Sequence, residues 1–90
     1  PQEWVAFRIQ TDGPGTLTLT ETTGSRTRTV YPTSGTWSVA AGQHFPGGTS
    51  PIAWQPDGAA GPRTYTARLC TAPDACTEDT LVLRWEGPPQ

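Results

Sequence analysis

The sequence predicts an all-β protein, an antiparallel β-sandwich of about seven short strands. Three observations carry this. Apolar residues recur with a period of two in separate stretches, as in Val5/Phe7/Ile9 and Tyr65/Ala67/Leu69, which gives each stretch one core face. Ten glycines and ten prolines cluster between these stretches, where their backbone preferences suit turns. No helix-period run of useful length occurs, and threonine, whose branched Cβ packs well on a pleated surface, fills the polar positions. The same strand number and spacing also fit a small barrel, so the sequence leaves sandwich and barrel open.

The elements follow in chain order. Trp4 to Gln10 alternates, with Val5, Phe7 and Ile9 on one face and Ala6, Arg8 and Gln10 on the other, as a half-buried strand does. Asp12-Gly13-Pro14-Gly15 is a turn signal. Leu17 to Val30 reads as a hairpin. Gly24-Ser25 suits a two-residue type II′ turn, and that turn fixes the register. Thr23 faces Arg26, Glu21 faces Arg28, Thr20 faces Thr29, Leu19 faces Val30, and Tyr31 falls opposite Thr18 on the polar side. The pairs are chemically matched, whereas a one-residue slip opposes leucine and glutamate to threonine. Leu17 and Leu19 point inward; Thr16, Thr18 and Thr20 form a wet outer face.

Thr33-Ser34-Gly35 closes this unit, and Trp37 to Val39 forms a short strand. Gly42 to Pro51 reads as a loop, Ile52 to Trp54 as a short strand, and Pro56 to Pro62 as a second loop. Two strands end the domain. In Arg63 to Cys70, Tyr65, Ala67 and Leu69 share a face; in Thr77 to Trp85, Leu81, Leu83 and Trp85 do. Opposing Cys70 to Cys76 sets Arg68 against Glu78 and Tyr65 against Leu81. It also sets Asp79 against Ala67 on the inner face, which calls for a bulge there or a place at the rim.

Ninety residues make one domain, 1–90, with 1–3 and 86–90 as tail or linker. A chain of this size buries roughly 60–65% of its unfolded surface, so its core is small. The formal charge of −2, the absence of lysine and the lack of a basic run exclude phosphate-backbone binding, hence nucleic acid. No apolar run approaches the ~20 residues of a membrane-spanning helix. Cys70 and Cys76 flank five residues in a chain with one histidine, too few ligands for a four-ligand zinc site. They are expected to form a disulfide, which places the domain in an oxidising compartment, secreted or at the cell surface. The chain starts at Pro1, as a processed or excised piece would. Lysine, asparagine and methionine are all absent, a bias expected of a GC-rich bacterial genome.

Gly42, His44 and Phe45, then Trp54 with Asp57-Gly58, then Tyr65-Thr66-Ala67-Arg68-Leu69 form an ordered pattern from Ala40 onward. It resembles the immunoglobulin-like module of the flagellar hook-capping protein family and related bacterial surface domains. The resemblance implies an immunoglobulin-like or fibronectin-III-like sandwich with a structural role and no active site. The cysteine pair lies outside the pattern.

The residue types present bear on four chemistries: catalysis, metal binding, sugar binding and assembly. His44, with Ser34, Ser38, Ser50 and Asp57, supplies the residue types of a nucleophile, base and orienter, but no nucleophile elbow or oxyanion hole frames them. No catalytic residue, cofactor or enzymatic activity is expected. Asp57, Asp74, Glu78 and Asp79 lack the close spacing that calcium requires, and read as solvated turn acids. Trp4 and Tyr31 fall off the core faces and are the candidates for an exposed polysaccharide or partner platform; Trp37, Trp54, Tyr65, Leu81 and Trp85 fall on apolar faces. Finally, the threonine-rich strands 16–22 and 27–31 carry no lysine to defend an edge. Pairing with copies of itself, or with other domains of a parent chain, is therefore expected. Donation of the segment Pro1 to Gln10 to a neighbour is one route, and it builds filaments.

Overall fold

The computed structural model describes residues 6–47 and 61–85. Within them lie seven strands and no helix: β1 (Ile9–Thr11), β2 (Gly15–Thr23), β3 (Arg26–Tyr31), β4 (Ser38–Val39), β5 (Gly42–His44), β6 (Gly61–Ala72) and β7 (Ala75–Trp85). They form two antiparallel sheets. β1 and β5 make one of two strands; the other, of five, runs β3-β2-β6-β7, with β4 also on β2. The expected strand at 52–54 and the terminal segments 1–3 and 86–90 lie outside the described residues.

The β2–β3 hairpin forms around Gly24, whose φ of 59° is the left-handed conformation that glycine adopts freely at the first central position of a type II′ turn. Glu21 pairs with Arg28, Thr20 with Thr29 and Thr23 with Arg26, as the turn dictates. The expected Leu19–Val30 pair does not form. A bulge intervenes, and Leu19 lies opposite Tyr31. Two residues of the bulged strand then oppose one of its neighbour, and Val30 drops into the core at 1% exposure. The same bulge moves Tyr31 from Thr18 to Leu19, away from the expected polar side.

β2 is central rather than an edge. Thr16 to Thr22 pair with Cys70 to Thr64 of β6 on one side, while β3 and β4 pair on the other. The expectation that 16–22 offers a free edge is therefore corrected. Between β3 and β4 the ladder continues through the Leu17 N–H, which donates to the Trp37 carbonyl at 2.9 Å. At Gly15 the two sheet strands come so close that a Cβ would stand 2.7 Å from the Cys70 carbonyl oxygen; only glycine fits.

β6 and β7 pair in the register expected from the cysteines: Cys70–Cys76, Arg68–Glu78, Ala67–Asp79 and Tyr65–Leu81. No bulge forms at Asp79; it is exposed and accepts a hydrogen bond from the Thr80 N–H at 3.0 Å. The strand also starts earlier than expected, because Gly61 and Pro62 belong to it rather than to the preceding loop. The ladder's alternation explains why proline is tolerated. Cys70 and Cys76 have a Cα separation of only 4.0 Å, the narrow, non-hydrogen-bonded kind of pair. Counting in twos along the register, Pro62–Arg84 is also a narrow pair, so Pro62 owes β7 no N–H. The pairing of β2 with β6 has already ended at Thr22–Thr64.

The disulfide joins the strands beside the two-residue turn at Pro73-Asp74, where Ala72 faces Ala75. Closing so short a loop removes about 2 kcal/mol of unfolded-state entropy in the chain-entropy model. Reduction is expected to lower unfolding stability by about that amount while β6 and β7 stay paired, since the Arg68–Glu78 and Tyr65–Leu81 register does not depend on it. Urea titrations with and without a phosphine reductant, followed by circular dichroism, measure this.

The loop expected over 42–51 contains a strand, β5, which pairs Ile9 with His44 and Thr11 with Gly42. β1 is correspondingly shorter and later than the strand expected from Trp4 to Gln10. It lasts only as long as its partner, which ends before the buried Pro46, a residue with no N–H to pair. Phe7 and Ile9 nevertheless lie where alternation puts them, packed on the core of Leu19, Val30 and Tyr65 together with Ala67 and Leu83. Phe7 and Tyr65 meet with ring centroids 4.9 Å apart.

Candidate functional site

Period-two alternation carries Glu21 onto the inward face that Leu17 and Leu19 share, and there it is 1% exposed. Its neighbours in the sheet are Arg28 on β3 and Tyr65 on β6. The Arg28 guanidinium donates to Oε1 from Nη2 at 2.7 Å and from Nε at 3.2 Å. The Tyr65 hydroxyl donates to Oε2 at 2.7 Å. Arg63, two residues before Tyr65 and so on the same face, brings Nη1 to 3.4 Å from Oε1 and is itself 2% exposed. One carboxylate thus ties three adjacent strands, with two cations and a phenol around it.

Burial, together with the hydrogen bond and the negative charge of Glu21, pushes the Tyr65 phenol well above the ordinary tyrosine value near 10; Arg63 and Arg28 pull it back only in part. The native state holds this proton more tightly than the unfolded chain does. Its contribution to stability is therefore complete below pH 10 and declines as pH rises past it. Denaturation titrations between pH 8 and 11.5 are expected to show that decline. In Tyr65→Phe, stability is lower at neutral pH and this part of the alkaline slope is gone.

A second feature is an open cleft of about 700 Å³ between the Phe7–Gly13 segment and the inner face of β6 and β7. Phe7, Ile9, Leu69 and Leu81 are among its apolar lining, and Asp12, Glu78 and Asp79 are the acids that line it. Leu81, expected in the core, is 53% exposed here. The small β1–β5 sheet is too short to cover the whole inner face of β7.

A third lies across the β1–β5 side. The His44 Nε2–H donates to the Ala40 carbonyl at 2.7 Å, and the same carbonyl accepts the Thr11 hydroxyl at 3.0 Å. A carbonyl can only accept, so that ring nitrogen is a donor and not a base. Ser34 and Ser38 are exposed, and neither bonds His44 among the described residues; Ser50 and Asp57 lie outside them. Trp37 stands edge-on to both Tyr31, at 4.8 Å between centroids, and His44, at 6.3 Å. All three rings are half-buried. Tyr31 is thus part of an aromatic cluster rather than an isolated platform; Trp4, its proposed companion, lies outside the described residues, as do Trp54 and the Trp85 side chain.

Among the described residues, no group of three or more histidines, cysteines and acids is placed to hold a metal ion. Sequence reasoning found the Glu21–Arg28 pair but missed Arg63 and Tyr65. The signal was there in the alternation: an acid on an inward face needs cations or donors on the neighbouring strands. No family model, curated protein or solved structure matches the chain.

Proposed function

We propose that the chain is a non-enzymatic structural module, a secreted or cell-surface β-sandwich of immunoglobulin-like type and bacterial origin, whose work is assembly through sheet edges. One observation carries this reading. β7, eleven residues long, pairs with β6 alone among the described residues and presents Leu81 and Val82 at 53% and 59% exposure. An exposed, lysine-free edge of that length, apolar at Leu81 and Val82, is a template for another strand. The disulfide suits an oxidising compartment. The described part of the N-terminal segment pairs with β5 of its own domain, so the reading rests on β7 rather than on donation of residues 1–10. Partners are copies of the chain or neighbouring domains of a longer one. Sedimentation velocity from micromolar to millimolar protein, with electron microscopy of the concentrated sample, tests it. Concentration-dependent assembly is expected, and a monomer throughout would overturn the reading.

Polysaccharide binding is the second reading, favoured by the half-exposed Tyr31–Trp37–His44 cluster, since aromatic faces stack on sugar rings. Tryptophan fluorescence titrated with a panel of polysaccharides would respond, and the response would vanish in Tyr31→Ala.

A further inference from the structure

We propose that β7 is a homotypic docking strand: two copies of the chain join β7 to β7, antiparallel, about a two-fold axis through Leu81. The proposal rests on the assembly reading above and names its partner and register.

The ladder geometry says which groups face outward. The narrow pair at Cys70–Cys76 sets the alternation along β7. Thr77, Asp79, Leu81 and Leu83 exchange hydrogen bonds with β6, whereas Cys76, Glu78, Thr80, Val82 and Arg84 direct N–H and C=O away from it. A second fact agrees from the other side of the sheet. The Leu17 N–H bonds to Trp37, away from β6, so Leu17–Leu69 is narrow and Cys70 bonds toward β2.

A two-fold axis normal to the sheet must pass through a residue that faces its own copy, because opposed side chains share a face. The charges then choose among the possible centres. Through Leu81, Glu78 faces Arg84 twice, once on each side of the axis, and Thr80 faces Val82 twice. All of these are outward-bonding residues, so each pair exchanges its two backbone hydrogen bonds. Through Asp79, like charges meet at the axis. Through Thr80, Glu78 faces Val82. Through Val82, Arg84 faces Thr80 and meets no acid. Of these centres only Leu81 sets opposite charges against each other along the outward-bonding residues, while Asp79 falls opposite Leu83 on the other face. The Leu81 centre also places the most exposed apolar residues of the edge, Leu81 and Val82, at the middle of the contact. Glu78 keeps its own Arg68, 3.8 Å away and exposed, as a further cation on the same face. Such an interface is isologous and closes at two copies.

Sedimentation equilibrium on the full chain and on charge-reversed variants tests this. Glu78→Arg or Arg84→Glu alone turns two attractive pairs into two repulsive ones, and each is expected to weaken the dimer about tenfold. The double variant, Glu78→Arg with Arg84→Glu, is expected to recover to within about threefold of the parent. These residues are exposed, and circular dichroism confirms the fold of each variant. Dimers or larger species indifferent to both single reversals would overturn the β7 register while leaving edge assembly standing. A chain monomeric at every concentration would overturn both.

Discussion

Glu21→Ala is expected to cost the domain about 3–5 kcal/mol, the scale observed when one partner of a buried ion pair is removed. Domains of this kind have roughly 5–15 kcal/mol in total, so the variant would be largely unfolded or close to it at 37 °C. The size follows from what remains. Arg63, 2% exposed, keeps its charge with the carboxylate gone, and the Tyr65 hydroxyl loses its acceptor. Arg28 suffers less, because its side chain is 24% exposed and can turn to water. The order of effects is therefore Glu21→Ala above Arg63→Ala, with Arg28→Ala smallest. Glu21→Gln separates charge from shape, since the amide still accepts from Tyr65 and one guanidinium; it is expected to fall between the parent and Glu21→Ala. Urea denaturation monitored by circular dichroism measures all four. A loss below about 1 kcal/mol for Glu21→Ala would mean that the carboxylate is solvated and does not pin the three strands.

The network also bears on why the strands settle in one register. Threonines face outward across the large sheet, with Thr29, Thr20, Thr66 and Thr80 in a single row. Such a face reads much the same after a shift of two residues. A lone inward carboxylate does not, because a slip of β6 by two would part Glu21 from Tyr65 and bring Arg63 into its place. The apolar residues specify which face is inside, and Glu21 specifies the alignment.

What could be read from the sequence was what is local. The Gly24-Ser25 turn fixes β2 against β3 from Thr20–Thr29 to Thr23–Arg26, and the cysteines fix β6 against β7, so these pairs followed from pairing chemistry alone. Alternation placed Leu17, Leu19, Phe7, Ile9 and Tyr65 on inner faces. The non-local partners were not legible. Nothing in Gly42-Gln43-His44 marks a strand until Ile9–Thr11 lies beside it. Nothing near Glu21 announces Arg63, 42 positions away, because it arrives only when β6 docks on β2. The Val30 bulge escaped for a different reason. An extra residue leaves the pattern on either side intact, and the burial of Val30 decides where it goes. Leu81 looked like core by period, but a period reports which face a residue occupies, not whether that face is covered.

Leu19→Ala is expected to lose about 2–5 kcal/mol, and Leu81→Ala, the same chemical change on the same inner side of the same sheet, less than about 0.5 kcal/mol in dilute protein. Leu19 is 2% exposed, sits beside Val30 and Tyr65, and receives Phe7 and Ile9 from the smaller sheet. Truncating it opens a void where the two sheets meet, and the neighbours on three strands are held by the Glu21 network and cannot collapse to fill it. Leu81 lies on the open side of the cleft at 53% exposure, so its truncation removes little buried area and leaves no cavity. Thermal and urea unfolding of the two variants at one micromolar concentration, at which sedimentation shows each to be monomeric, gives the comparison. Equal losses would show that the inner face of β7 is as well covered as that of β2, and the cleft, with the exposed edge beside it, would then be filled in the folded protein.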